Sequence, residues 1–255
     1  MEHEILVTRR GAVMAIGINR PQKKNALTAA MYAAMADALK SAQADEAIRV
    51  VIFHGTADAF TAGNDLEDFL QRPPVTDDAP VFQFLLTVTA FDKPLVAAVN
   101  GVAVGLGTTL LFHCDLVYAA DNARFSLPFT QLGLVPEFGS SLVLPLIAGH
   151  QRAAELILLG EPFDAQKAQA AGFITRVLPA GDVQDAAWTA AEKLAALPRK
   201  SVQTARALMR AAQRPAIEAH LREESLHFRA MLTEPAAKEA FAAFLAKRKP
   251  DFTGL

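Results

Sequence analysis

The 255-residue sequence holds a single cysteine, Cys114, one tryptophan and two tyrosines. One cysteine excludes an internal disulfide and a cysteine-rich zinc site. No excess of basic charge is present: 25 Lys and Arg stand against 27 Asp and Glu, for a net charge of -2. That balance lacks the positive footprint by which proteins hold a phosphate backbone, which argues against a nucleic-acid partner. His54, His113, His150, His220 and His227 show no metal-ligand spacing, so no metal site is expected. Uninterrupted apolar runs are also missing. Pro94 to Phe112 carries no formal charge, but Asn100, Gly101, Gly105 and Gly107 break it and His113 and Asp115 follow. It reads as a strand, a turn and a buried helix rather than a membrane span. Phe138 to Gly149 is uncharged but too short to cross. The opening Met1-Glu2-His3-Glu4 is acidic and unlike a signal peptide, and Thr253-Gly254-Leu255 is not a peroxisomal address. What remains is a chain 52% hydrophobic and 20% charged. It is expected to be globular, cytoplasmic and free of membrane, with one or two domains.

Strands and helices alternate in the first half. Ile5 to Thr8 and Ala12 to Ile18 read as strands around Gly11, and Val50 to Phe53, Leu95 to Val99 and Leu116 to Ala119 as buried ones. Leu27, Met31, Met35 and Leu39 recur every four residues, which predicts an amphipathic helix from Thr28 to about Gln43. Short helices are expected over Leu66 to Leu70 and Phe82 to Ala90, with a mobile loop at Arg72 to Pro80, which holds three prolines and two aspartates. Gly101 to Gly107 reads as a turn leading into a helix through Leu110 and Leu111. This order predicts repeated β-β-α units with buried parallel strands. The second half reads as helices over Ala153 to Leu159, Asp164 to Ala171, Asp182 to Ala196 and Ser201 to Ala212. Two more carry Ile217, Leu221, Phe228 and Leu232 on one face, then Phe241, Phe244 and Leu245.

The glycines at 101, 105 and 107 are spaced GxxxGxG, not the GxGxxG of a dinucleotide site. Such a turn serves either close backbone packing or a helix N-terminus whose free N–H groups favour developing negative charge. A second turn, Ala62-Gly63-Asn64-Asp65-Leu66, also follows a buried strand and precedes a helix that Asn64 or Asp65 would cap. Two such turns converging on one oxygen would form a two-donor oxyanion hole. Ser140 and Ser141 lack the GxSxG setting of a nucleophile and read as helix-start residues. Glu137 fits two roles, a helix N-terminal acid or a general base.

These segments together resemble the enoyl-CoA hydratase/isomerase (crotonase) superfamily over nearly the whole chain. Arg20-Pro21 with Asn25-Ala26-Leu27 resembles its early coenzyme A loop. Phe60 to Leu66 resembles its first oxyanion turn, and Lys93-Pro94 through Asn100-Gly101, Gly105, Gly107 and Cys114-Asp115 its second. Leu132 to Pro136 and Phe244 to Pro250 also fit. The resemblance implies an α/β fold, a spiral of β-β-α units over 1–195, followed by a helical region over 196–255 that assembles trimers, often paired as hexamers, and lids the coenzyme A pocket. It implies acyl-CoA substrates, with coenzyme A as part of the substrate and no separate cofactor. By resemblance the oxyanion donors are the main-chain N–H groups of Asn64 and Leu106. Lys24, Ala26, Ala62, Asp65, Leu66, Thr109, Phe129 and Lys249 line the substrate, Lys249 by reaching coenzyme A on a neighbouring subunit.

Family hydratases use two glutamates, which would fall at Thr109 and Phe129; this sequence has neither. Glu137 stands where isomerases of the peroxisomal Δ3,Δ2-enoyl-CoA type carry a glutamate, and where a ring-isomerising enzyme of phenylacetate breakdown carries an aspartate. The resemblance therefore implies an enoyl-CoA isomerase with Glu137 as the base, its pKa raised by burial among Phe129, Phe138 and Leu66. The alternatives are a hydratase or ring isomerase of the same family, or a non-catalytic acyl-CoA binder.

Overall fold

The computed structural model describes residues 3–255; Met1 and Glu2, read above as part of an acidic N-terminus, lie outside the described residues. The chain opens with β1 (Ile5–Arg10) and β2 (Val13–Ile18), joined by a turn at Gly11. Helix α1 (Ala29–Ala44) follows, its N-terminus capped by Thr28, whose hydroxyl accepts the Met31 N–H at 3.3 Å. Its buried stripe of Met31, Tyr32, Met35, Ala36 and Leu39 is the four-residue periodicity of the sequence.

Three turns of a spiral come next. The first is β3 (Val50–His54), β4 (Ala59–Thr61), α2 (Leu66–Gln71) and α3 (Pro80–Ala90). The second is β5 (Leu95–Val99), β6 (Val102–Val104) and α4 (Leu106–Thr109), which runs on as a tighter turn over Leu110–His113. The third is β7 (Leu116–Ala120), β8 (Arg124–Ser126) and α5 (Ser140–Ala148). Each turn gives its first strand to one sheet and its second to another. With β10 (Arg176–Leu178), the larger sheet has the order β1-β2-β3-β5-β7-β10 and is parallel from β2 onward, with β1 antiparallel at its edge. With β9 (Phe163–Asp164), the smaller sheet has the order β4-β6-β8-β9, with β4, β6 and β8 parallel.

After α5 come α6 (His150–Ala154), β9 (Phe163–Asp164), α7 (Ala165–Ala170), β10 (Arg176–Leu178) and α8 (Val183–Ala196). Helices α9 (Arg199–Ala211), α10 (Arg214–Met231) and α11 (Pro235–Leu245) complete the chain. The expected helix over Ala153 to Leu159 is in fact α6 followed by a wider, π-type turn at Glu155–Leu159.

Every residue of β2 and β5 is buried, because a parallel sheet covered on both faces needs continuous rather than alternating apolar runs. Helix α8 packs along β2, β3, β5 and β7. The segment expected as one turn from Gly101 to Gly107 contains β6. Three-residue strands such as β4, β6 and β8 are too short to display a period, so the smaller sheet is invisible in the hydrophobic pattern. This sheet matters most for function: the loops that leave the carboxyl ends of β4, β6 and β8 carry the site.

Candidate active site

The parallel register of β4 on β6 pairs Thr61 with Ala103, so the turns that follow the two strands lie side by side. A Cβ placed on Gly63 would sit 2.8 Å from the Val104 carbonyl oxygen, which shows how closely the backbones approach. Neighbouring groups hold the first turn firmly. Thr61 Oγ1 donates to the Asn25 carbonyl at 2.7 Å and accepts the Gly63 N–H at 3.0 Å. The Ala62 N–H donates to the Lys24 carbonyl and the Asp65 N–H to that of Leu27, both at 2.9 Å. The N–H groups of residues 62, 63 and 65 are thus all engaged, whereas that of Asn64 meets no acceptor among the described residues. In the second turn, Gly105 adopts φ 55° and ψ -116°, a conformation that suits glycine, and its N–H donates to the Ser126 carbonyl at 3.0 Å. Leu106 opens α4, so its N–H has no partner within the helix. Asn64, Leu106 and Glu137 line one cavity of about 740 Å³.

Glu137 arrives from the third turn of the spiral. Among the described residues it is the only acid lining that cavity, whose walls include Leu66, Phe69, Phe129 and Leu134. Phe138 and Gly139 behind it both take left-handed angles, with φ 66° and 69°. Burial pushes the Glu137 carboxyl up to about 8; a hydrogen bond from Thr109 Oγ1 at 2.6 Å pulls it down, and the charge of Glu224 raises it further. Glu137 is half-buried, and its carboxyl shifts in the expected direction, with one change of wall. The Phe138 ring stacks on His113 at 4.0 Å between centroids and does not line the cavity.

The other residues singled out in the sequence divide into two groups. Ala62, Leu66, Phe129 and Lys249 line the cavity with Glu137. Lys249 does so within its own chain. Lys24, Ala26, Asp65 and Thr109 do not line it. Lys24 and Ala26 belong to the loop that braces the first turn. The Asp65 carboxylate is committed elsewhere: it accepts the Arg20 guanidinium at 2.6 Å and the N–H groups of Glu67 and Asp68, capping α2. Burial pushes its carboxyl up, but Arg20 and these N–H donors outweigh that and hold it below its ordinary value. Thr109 lies behind Glu137 and orients it from the same helix that supplies the Leu106 N–H.

Two buried polar residues escaped sequence reading. Tyr32, on the buried face of α1, donates its hydroxyl to Asn64 Oδ1 at 2.5 Å. Burial, then the charge of Glu137, raises its pKa, so it remains a neutral donor. Glu224 on α10 accepts from the N–H groups of Gly139 at 2.5 Å and Ser141 at 2.9 Å. Its signal was legible: 224 falls on the apolar stripe of Ile217, Leu221 and Phe228, where an acid needs a partner. Among the described residues, no cluster of His, Cys, Asp or Glu is arranged to hold a metal, and no helix is long and apolar enough to cross a membrane.

The geometry brings the turns of Asn64 and Leu106 and the Glu137 carboxyl into one largely apolar cavity. If the donors act as an oxyanion hole, backbone shape matters more than the Asn64 side chain. Gly63→Val would force a β-branched residue to φ 84° against the Val104 carbonyl, and Gly105→Val would oppose a glycine angle. Each is expected to lower turnover by roughly 10²–10³-fold, with Asn64→Ala less harmful. Equal damage from all three with the fold intact would make the Asn64 side chain itself the active group.

Comparison with known proteins identifies the family of the chain. The family model for enoyl-CoA hydratase/isomerase matches residues 8–255. Enoyl-CoA delta isomerase 2 of Rattus norvegicus is 37% identical over 252 residues, which cover 96% of this chain and 64% of that protein. This chain therefore spans just under two thirds of that relative's length. The 2,3-dehydroadipyl-CoA hydratase of Escherichia coli (strain K12) is 36% identical over 254 residues, covering 98% of this chain and 99% of that one. The structure of Pseudomonas aeruginosa OdaA superposes with a TM-score of 0.93 at 45% identity, covering 96% of this chain and 99% of that chain. With the spiral of β-β-α turns, the paired donor turns and these relatives in agreement, the chain belongs to the enoyl-CoA hydratase/isomerase family.

Proposed function

We propose that the protein is an enoyl-CoA isomerase that moves a double bond from the 3 to the 2 position of an acyl-CoA thioester. The observation that carries this reading is Glu137: a single carboxyl group, raised by burial, in the cavity that holds the unpartnered N–H groups of Asn64 and Leu106. The Glu137 carboxylate takes a proton from C2 of the 3-enoyl thioester. The electron pair moves into the thioester, and the resulting dienolate carries its charge largely on the thioester oxygen. The Asn64 and Leu106 N–H groups stabilise that charge, each by roughly 3 kcal/mol. The protonated Glu137 then returns the proton at C4, giving the conjugated 2-enoyl thioester and regenerating the base. Leu66, Phe69 and Phe129 keep the chamber apolar, which maintains the strength of the base.

Coenzyme A enters beside the first turn, with Lys249 at the cavity wall supplying positive charge for its phosphates and Ala62 and Leu66 lining its path. A second cavity of about 370 Å³, walled by α2, the 72–79 loop and the start of α3, shares Asn64 and Phe69 with the first. It is the natural place for the acyl tail. Exposed Leu208 and Met209 on α9 support assembly as a trimer or a pair of trimers. Light scattering at micromolar concentration is expected to give a multiple of three, and a monomer would remove that part of the proposal. The test of function is incubation with a panel of 3-enoyl-CoA thioesters, read by formation of the conjugated 2-enoyl product. No product from any chain length would overturn the reading.

A further inference from the structure

Glu224 lies on α10, far from Glu137 in sequence, and takes no part in the chemistry above. It is 6% exposed. Its carboxylate accepts three hydrogen bonds: Oε2 from the Gly139 N–H, and Oε1 from the Ser141 N–H and the Ser141 hydroxyl. All three donors sit immediately after Glu137, where the chain turns through two left-handed residues before entering α5. A non-glycine residue at φ 66° such as Phe138 is strained and persists only where its surroundings impose it. Two other groups grip the same turn. The His113 ring donates from Nε2 to the Phe138 carbonyl at 2.8 Å, and the Ser140 hydroxyl donates to the Glu137 carbonyl at 2.5 Å. Of these, Glu224 alone brings a charge.

We propose that Glu224 is a positioning residue for Glu137: clamped on Gly139 and Ser141, its carboxylate holds the Phe138–Gly139 turn that delivers Glu137 into the cavity. The inference rests on the reading of Glu137 as the proton-transferring group. The clamp has an electrostatic side as well. Three donors on Glu224 favour its ionised form, although burial pushes its own carboxyl up. A negative Glu224 holds the proton on Glu137 and raises its pKa.

The groups facing this pair from each neighbouring element are Tyr32 of α1, Thr109 of α4, His113 of the following turn and His220 of α10. Arg206 and Arg210 of α9 face His113. Burial, opposed by its bond to Phe138 and assisted by the two arginines, pushes His113 down to about 3, so it stays neutral across the working range. Tyr32 is shifted upward by burial and by Glu137.

The experiment is the pH dependence of kcat/KM and of kcat for 3-enoyl-CoA isomerisation in the wild type, Glu224→Gln, Glu224→Asp and Glu137→Gln. Glutamine removes the charge and sets an amide N–H₂ against donors that all need an acceptor. The acid limb of Glu224→Gln is expected about half a unit to one unit lower. Its kcat should fall about 10- to 100-fold with KM nearly unchanged. Aspartate keeps the charge but is one methylene too short to hold Gly139 and Ser141 together. In Glu224→Asp the kcat should fall while the acid limb stays in place, which keeps the test alive if the glutamine variant does not fold. A wild-type kcat in Glu224→Asp, or an unmoved acid limb with normal kcat in Glu224→Gln, overturns the proposal. Glu137→Gln separates the two levels. If it is inactive while both Glu224 variants behave as wild type, only the positioning role fails. If it keeps full activity, the assignment of Glu137 as base fails.

Discussion

Replacing Glu137 with glutamine is expected to lower the turnover of a 3-enoyl thioester by about 10²–10⁴-fold. Coenzyme A affinity should survive, because the cavity wall proposed to hold it, at Ala62, Leu66 and Lys249, is untouched. Glutamine keeps the shape and the contact with Thr109 but has no basic oxygen. The wild-type pH profile should show the same group. With its carboxyl near 8, Glu137 is mostly protonated at neutral pH, so kcat/KM should rise as pH increases and level off above about 8. That limb should vanish in the variant.

Stability should move in the opposite direction to activity. An ordinary carboxyl in the unfolded chain loses its proton near 4.5, whereas the folded one holds it to about 8. Between those values the folded state binds the extra proton, so its stability falls as pH rises through the window. Each unit of the shift represents about 1.4 kcal/mol. Glu137→Gln removes this liability. Its melting temperature should match the wild type near pH 4.5 and exceed it by roughly ten degrees at pH 8. Wild-type-like turnover together with an unchanged pH dependence of melting would show that Glu137 is neither the base nor a strained acid.

The larger sheet was legible in the sequence because its strands are long enough to show an uninterrupted apolar run, as in Val50 to Phe53 and Leu95 to Val99. Helix α1 declared itself by its four-residue period and its Thr28 cap. The smaller sheet did not, since β4, β6 and β8 have only three residues each. Yet those strands bring residues 64, 106 and 137 together, so the convergence of the site rested on family resemblance rather than on pattern. The commitment of Asp65 to Arg20 crosses 45 positions, and that of Glu224 to Ser141 crosses 83; no local rule reaches either. Glu224 nevertheless left a trace as an acid on an apolar stripe. Tyr32 left none, because a tyrosine on a buried helix face packs well whether or not its hydroxyl finds Asn64.

Water addition to a 2-enoyl thioester should be far slower than double-bond migration on the same preparation. Hydration requires a water molecule held and activated against C3 and a proton delivered to C2. By family resemblance that work belongs to two glutamates, whose places are taken here by Thr109 and Phe129. Thr109 has no basic oxygen, and its hydroxyl is spent on Glu137. Phe129 presents an apolar wall to the cavity where a water-holding carboxylate would stand. A single general catalyst is worth about 10²–10⁴-fold, and the loss of both costs more, though not as a simple product. On the proposed mechanism Glu137 retains the step common to both reactions, exchange of the C2 proton with the thioester oxygen held by Asn64 and Leu106. The expected pattern is therefore solvent deuterium entering at C2 and migration of the double bond, without appreciable 3-hydroxyacyl product. Crotonyl-CoA hydration and 3-hexenoyl-CoA isomerisation, measured side by side, give the ratio. Hydration outpacing isomerisation would mean that Glu137 activates water, and that the apolar wall at Phe129 opens to admit it.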